Sequence, residues 1–437
     1  MNLKQDALEL LTVALMAVNP KRLLPALITR DANHLRIKNI EITLEDDTNL
    51  YVIGFGKASG TMAEAIENIL ADRITGGIVI VPDNYTGKTV KICQREAGHP
   101  FPDERGLKAT EEILQLLSQA QDSDLVICLI SGGGSALLEK LPSTITLEML
   151  REVTEIMLNS GATIEEVNTI RKNLSLVKGG KLATYIHPAR CLSLILSDVI
   201  DDPLDVIASG PTAPDSTTLN DVREILKRYQ LDTRFPEPVL TVLEKGLAGT
   251  PLQPDDPVFE KVSNIIVGNN LLALRAAEVK ARQKGYQPMI LGNRICGESR
   301  EVARVIAEVM KEIVESEFPI QPPACVIFGG ETTVTVEGSG LGGRNQELVL
   351  AALIELKEVD FPFVLLSCGS DGRDGPTDAA GAIITEKSWE NALLAGLNPQ
   401  SYLQNNDAYH FFERIDGLIK TGPTGTNVMD IGIVLLP

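Results

Sequence analysis

The stretch 127–138, ICLISGGGSALL, most tightly limits what this chain can become. The apolar run 125–130 is short and bulky enough to be a buried strand. It breaks at once into Ser131-Gly132-Gly133-Gly134-Ser135, and helix formers follow: Ala136, Leu137, Leu138, Glu139 and Lys140. Strand, glycine turn, helix start is how α/β proteins build anion sites. Glycines let a ligand approach the backbone, and a helix N-terminus offers N–H groups and partial positive charge. Three successive glycines cost extra backbone entropy on folding. An anion-binding loop therefore explains them better than a plain turn.

The same grammar recurs. A strand at 50–53 enters Gly54-Phe55-Gly56-Lys57-Ala58-Ser59-Gly60, then a helix at 61–70 and a strand at 77–81 ending in Pro82-Asp83. This is the opening of a doubly wound, Rossmann-like sheet. A basic cluster, Arg171-Lys172-Asn173 with Lys178 and Lys181, stands out in an acidic chain. A strand at 191–196 meets Ser197-Asp198, and a long ordered loop follows, marked by Pro203, Gly210-Pro211 and Pro214. Five prolines across 235–257 place a domain boundary there, giving domains 1–235 and 236–437, with residues 1–45 able to pack on the second. A fresh βα series is expected beyond it, with strands at 264–267, 287–291, 325–328, 333–336, 363–366 and 432–436. Glycine loops follow several of them, at 329–330, 338–343 and 369–375, and another lies at 421–427. The expected fold is two α/β domains with mainly parallel sheets, the first Rossmann-like, holding one polyanionic ligand in an interdomain cleft.

Charge narrows the partners. Lys plus Arg is 40 and Asp plus Glu is 59, so the formal charge is 40 − 59 = −19. That argues against nucleic acid or an anionic membrane as the main partner, while an anionic ligand needs only local positive potential. The six cysteines form no CxxC pair, and most sit beside apolar runs, as buried thiols in a reducing compartment would. The start, MNLKQDALELLTVALMAV, carries acids within its apolar pattern and reads as an amphipathic helix rather than a signal peptide. No apolar run approaches membrane-spanning length, so a cytoplasmic protein is expected.

The chemistry follows by type. No GxxxxGK[ST], GxSxG or HExxH pattern occurs. His34, His99, His187 and His410 lie far apart, and His99, beside Pro100, reads as structural or ligand-contacting rather than as a base. Gly54, Gly56 and Gly60 give GxGxxxG, one residue longer than the dinucleotide fingerprint, and Asp83 could stand for a ribose-binding acid. Phosphoryl transfer asks for cations, a backbone cradle and carboxylates for magnesium. Lys57 and Arg344 each sit in a glycine loop at a strand end, where a cation has little structural excuse. Asp198 and Asp371, after apolar strands, suit a magnesium ligand or a base for a substrate hydroxyl. Gly56, Ser131, Gly132, Gly133, Gly134, Ser135, Lys172, Asn173, Asn345, Thr426 and Asn427 complete the candidate substrate- and nucleotide-binding set.

Together these segments resemble the class II glycerate 2-kinases, whose C-terminal part is the MOFRL domain. The matching stretches are GFGKASG (54–60), EAGHPFPDE (96–104), LISGGGSALL (129–138), RKNLSLVKGGKLA (171–183), LSDVIDDPLDVIASGPT (196–212), GGETTVTVEGSGLGGRNQE (329–347), SCGSDGRDGPTDAAGA (367–382) and TGPTGTNVMDI (421–431). They span nearly the whole chain. The resemblance implies ATP-dependent phosphorylation of D-glycerate at its 2-hydroxyl with a divalent cation such as Mg²⁺. It maps the family's catalytic lysine and arginine onto Lys57 and Arg344, and the MOFRL region onto about 325–437. Some proteins of this resemblance carry the label hydroxypyruvate reductase, so an NAD(P)H-dependent reductase is the alternative. A monomer or homodimer is expected.

Overall fold

The structure, a computed structural model, describes residues 2–437. The chain divides into two compact units, residues 23–267 and residues 1–22 with 268–437.

The first unit opens with an antiparallel meander, β1 (Ile28–Asp31), β2 (His34–Ile37) and β3 (Ile40–Thr43). Its main sheet contains β4 (Leu50–Phe55), β5 (Ile74–Pro82), β6 (Ile92–Ala97), β7 (Leu125–Ser131), β8 (Arg190–Leu196) and β9 (Val262–Gly268), in the order β6-β5-β4-β7-β8-β9. Every pairing from β6 through to β8 is parallel. β4 and β7 are buried at every position, as strands covered on both faces must be, which is why they read as unbroken apolar runs. Helices Ser59–Leu70 and Glu104–Leu117 flank the sheet, the second started by Asp103, whose carboxylate accepts from the Gly106 N–H at 3.0 Å. A separate helical cluster, with its own apolar core, gathers Leu147–Asn159, Ile164–Leu174, Leu219–Arg228 and Glu237–Lys245.

The second unit carries β10 (Gln287–Glu298), β11 (Ala324–Thr333), β12 (Val364–Gly369), β13 (Gly381–Thr385), β14 (Leu418–Ile419) and β15 (Asp430–Leu436), ordered β10-β11-β15-β12-β13-β14. Only β10–β11 is parallel; β15 inserts antiparallel between β11 and β12, and the β12–β13 and β13–β14 pairs are antiparallel. Helices Ser299–Ser316 and Arg344–Glu355 share a core with Val326, Phe328, Leu365 and Val434. Helix Leu3–Ala17 packs on helix Asn270–Gln283, tied at its start by Asp6 to Lys284 (2.8 Å) and to the Tyr286 hydroxyl (2.8 Å).

Four expectations need correction. The second sheet is mixed rather than mainly parallel. A strand buried on both faces shows the same apolar run in either direction, so the pattern carried no direction. The boundary at 235/236 falls inside the first unit, where Pro236 caps helix Glu237–Lys245 and Pro238 lies in its first turn instead of marking a linker. The run at 264–267 is thus the last strand of the first sheet, and of residues 1–45 only 1–22 cluster with the second unit. The run expected at 325–328 lies in a longer strand, Ala324–Thr333, and residues 334–336 of the run expected at 333–336 form no strand. Among the described residues no single helix is long and apolar enough to cross a membrane; the bent pair Leu3–Ala17 and Pro20–Leu27 reaches that length only together, and Ala7, Leu10, Leu11 and Ala14 face protein.

Candidate active site

The first sheet starts at β4, runs outward to β6, then returns to β7 and runs outward to β9. The reversal between β4 and β7 is a topological switch point, where parallel sheets open a crevice beyond their carboxyl ends. The two glycine loops meet there. The Lys57 N–H donates to the Gly132 carbonyl (2.9 Å), the Ala58 N–H to Ser131 Oγ (2.9 Å), and Ser59 Oγ to the Leu129 carbonyl (3.1 Å). Gly56, at φ +129°, has no room for a side chain: a Cβ would stand 2.3 Å from Ser131 Oγ. Ser131 is buried and Lys57 half-buried.

Gly133 has φ +80°, and a Cβ on it would lie 2.8 Å from His99 Nε2 and 3.5 Å from Lys57 Cγ. His99 and Lys57 therefore flank the same glycine. The helix after this loop is a single turn, Gly134–Leu137, not the longer helix expected from residues 136–140. Any anion at 131–135 would be met by loop N–H groups and side chains rather than by a helix dipole. Asp198 sits half-buried just past the end of β8, on the same carboxyl edge of the sheet. Asp83, the candidate ribose acid, is held bidentately by Arg105 at 2.6 and 3.1 Å.

The basic cluster is mostly internal. Lys172 is buried against Asp215, with Asp205 at 3.8 Å, and Asn173 Nδ2 donates to the Thr169 carbonyl at 2.9 Å. Lys181 is buried and donates to the carbonyls of Lys172 (2.9 Å), Ala248 (3.1 Å) and Gly249 (2.9 Å). Lys178 is fully buried and paired with Glu139; burial pulls its ammonium down to about 8, against the pull of the Glu139 carboxylate. Lys178→Met strands that carboxylate in the interior and should cost about 3–5 kcal/mol in urea unfolding, whereas Lys178→Met with Glu139→Leu should recover most of the loss.

In the second unit, Arg344 is the first residue of helix Arg344–Glu355. Its guanidinium grips Asp430 with two bonds, 2.6 and 3.0 Å, and donates a third to Glu331 at 2.6 Å. Burial opposes its charge, yet Asp430 and Glu331 outweigh burial and push its pKa above the usual value. Asp374 holds the same helix start, accepting from the N–H groups of Asn345 (3.0 Å) and Gln346 (2.8 Å) and from both side-chain amides. Burial pushes the Asp374 carboxyl up to about 6 against those donors. The Asn345 side chain also accepts from Ser367 Oγ at 2.5 Å.

Asp371 turns its carboxylate to the Arg373 N–H at 3.0 Å. Thr426 is buried, its hydroxyl donating to the Val18 carbonyl at 2.8 Å, so it fastens the 421–427 loop; Asn427 follows it, also buried. Among the described residues no three His, Cys, Asp or Glu side chains gather into a metal-holding group. Single carboxylates such as Asp198 and Asp371 fit magnesium delivered on nucleotide phosphates, which needs only one or two protein ligands.

His99, read in the sequence as structural or ligand-contacting, lies beside Gly133, whereas Asp430, Glu331, Asp374 and Ser209, whose hydroxyl pairs with Ser135, were not singled out there. Only the loop pattern could have flagged them, since the contacts join distant segments.

A Rossmann-ordered sheet with interlocked glycine loops and a lysine at its switch point places the chain among the α/β proteins that bind ligands beyond the carboxyl ends of their strands. Comparison with known proteins narrows the class. The family described as a domain of unknown function, DUF4147, matches residues 6–244, and the MOFRL family matches 324–430. A D-glycerate 2-kinase of Thermotoga maritima is 40% identical over 88% of this chain and 90% of its own length. A putative hydroxypyruvate reductase of Agrobacterium vitis is 40% identical over 88% of this chain and 86% of its own. The crystal structure of the Thermotoga maritima glycerate kinase superposes with a TM-score of 0.87 at 38% identity, covering 100% of this chain and 99% of that one. The chain belongs to the glycerate 2-kinase family.

Proposed function

We propose that this protein transfers the γ-phosphoryl group of ATP to the 2-hydroxyl of D-glycerate, giving 2-phosphoglycerate and ADP. The observation that carries the reading is the interlock of loops 54–60 and 131–135 at the switch point, with Lys57 beside Gly133. Glycerate's carboxylate docks on the 131–135 loop. Lys57 stabilises charge on the transferring phosphoryl group, and the family resemblance assigns Arg344 to the same chemistry. Asp198 orients the 2-hydroxyl and takes its proton as the hydroxyl oxygen bonds to Pγ and the bond from Pγ to the bridging oxygen of ADP breaks. Magnesium, carried on the nucleotide, would neutralise phosphate charge, with Asp198 or Asp371 as its protein ligand. The reductase reading is weaker, because its glycine loop, GxGxxxG, is one residue longer than the dinucleotide fingerprint.

The test is ADP release from the purified chain with D-glycerate, ATP and Mg²⁺, with the product identified by NMR. Glycerate-dependent ADP with 2-phosphoglycerate supports the reading. 3-Phosphoglycerate overturns the choice of hydroxyl, and NADH oxidation on hydroxypyruvate without ADP overturns the kinase.

A further inference from the structure

Ala208, Ser209 and Gly210 take φ of 51°, 63° and 58° in succession. Residues with a Cβ avoid this left-handed region, and they stay in it only where their surroundings hold them there. Here the Gly179 N–H donates to the Ser209 carbonyl (3.0 Å) and the Gly180 N–H to that of Gly210 (2.7 Å). The Ala208 methyl fills the space beside Gly134, 2.8 Å from where a Cβ there would stand. The result of this strain is one contact: Ser209 Oγ lies 2.8 Å from Ser135 Oγ, in the glycine loop at the switch point. Ser209 is 1% exposed and cannot meet a ligand itself, while Ser135 is only half-buried.

We propose that Ser209 is a positioning residue for substrate binding: its hydroxyl donates to Ser135 Oγ and so turns the Ser135 proton toward the glycerate carboxylate. A hydroxyl has one proton and free rotation, so a fixed donor behind it decides where that proton points. His99 Nε2 and Lys57 Cγ stand 2.8 and 3.5 Å from the Cβ position of Gly133, so an imidazole and a cation stem border the loop in which Ser135 lies. The inference rests on the kinase reading and adds a residue to it.

The experiment is a double-mutant cycle on Ser209→Ala and Ser135→Ala, with KM for each substrate, kcat and Tm. Each single variant should raise KM for D-glycerate about tenfold, the scale of one lost hydrogen bond, and leave KM for ATP within about twofold. The double variant should be no worse than Ser135→Ala, because Ser209 acts only through Ser135. Ser209→Gly should show the same rise in KM with a Tm at or above wild type, since glycine holds this backbone without strain. An unchanged KM in Ser209→Ala, or singles that multiply in the double, overturns the positioning role. A rise in KM for ATP instead overturns the ligand assigned to the loop. A wild type without glycerate-dependent ADP release overturns the kinase reading, and this inference with it.

Discussion

Lys57→Ala lowers kcat by about 10²-fold or more, with the fold intact. The scale is that of one lost donor to charge developing in a transition state. The fold should survive because none of the contacts that interlock the two glycine loops here uses the Lys57 side chain: the Lys57 backbone N–H meets the Gly132 carbonyl and the Ala58 N–H meets Ser131 Oγ. Alanine keeps both. What it removes is the cation on the stem that passes Gly133. Steady-state kinetics with D-glycerate and ATP, beside a thermal melt, check this. A fall in kcat with Tm within about 1 °C of wild type assigns the loss to chemistry. Near-normal turnover in the folded variant takes Lys57 out of the mechanism.

The first unit was legible because its chemistry is local. β4 and β7 are buried at every position, each breaks into glycine, and the lysine and serines of the candidate site lie within a few residues of the break. Helix Leu147–Asn159 starts on an equally local contact: Thr146 accepts from the Met149 N–H at 3.2 Å, three residues on. What stayed hidden depends on distant segments. Arg344 and Asp430 are 86 positions apart, and only the antiparallel insertion of β15 brings them together. Ser135 and Ser209 are 74 apart, joined by a backbone turn that no propensity favours. Lys172 looked like a ligand cation because its partner, Asp215, lies 43 positions on. The meander β1–β3 was missed because its strands are only four residues long with exposed alternate positions, too short for a period to show.

Arg344→Lys lowers kcat by about 10²-fold or more even though the charge is retained. The guanidinium spends one edge on a bidentate grip of Asp430 and a further N–H on Glu331. A lysine ammonium is a point charge on a flexible stem and cannot satisfy that fork. It would settle on one carboxylate and move away from the place Arg344 holds at the helix start. Arg344→Ala goes further. Asp430 is 7% exposed, and without its partner it becomes an uncompensated buried carboxylate, so this variant should also lose stability, by about 3–5 kcal/mol. Pairing Arg344→Ala with Asp430→Ala should return much of that stability and none of the activity. That split would assign the ion pair to the fold and the guanidinium to phosphoryl transfer. Recovery of turnover in the double variant would mean that Arg344 serves only to neutralise Asp430. Loss of turnover in Arg344→Lys with unchanged urea unfolding would mean that the geometry of the fork, beyond its charge, is what the reaction uses.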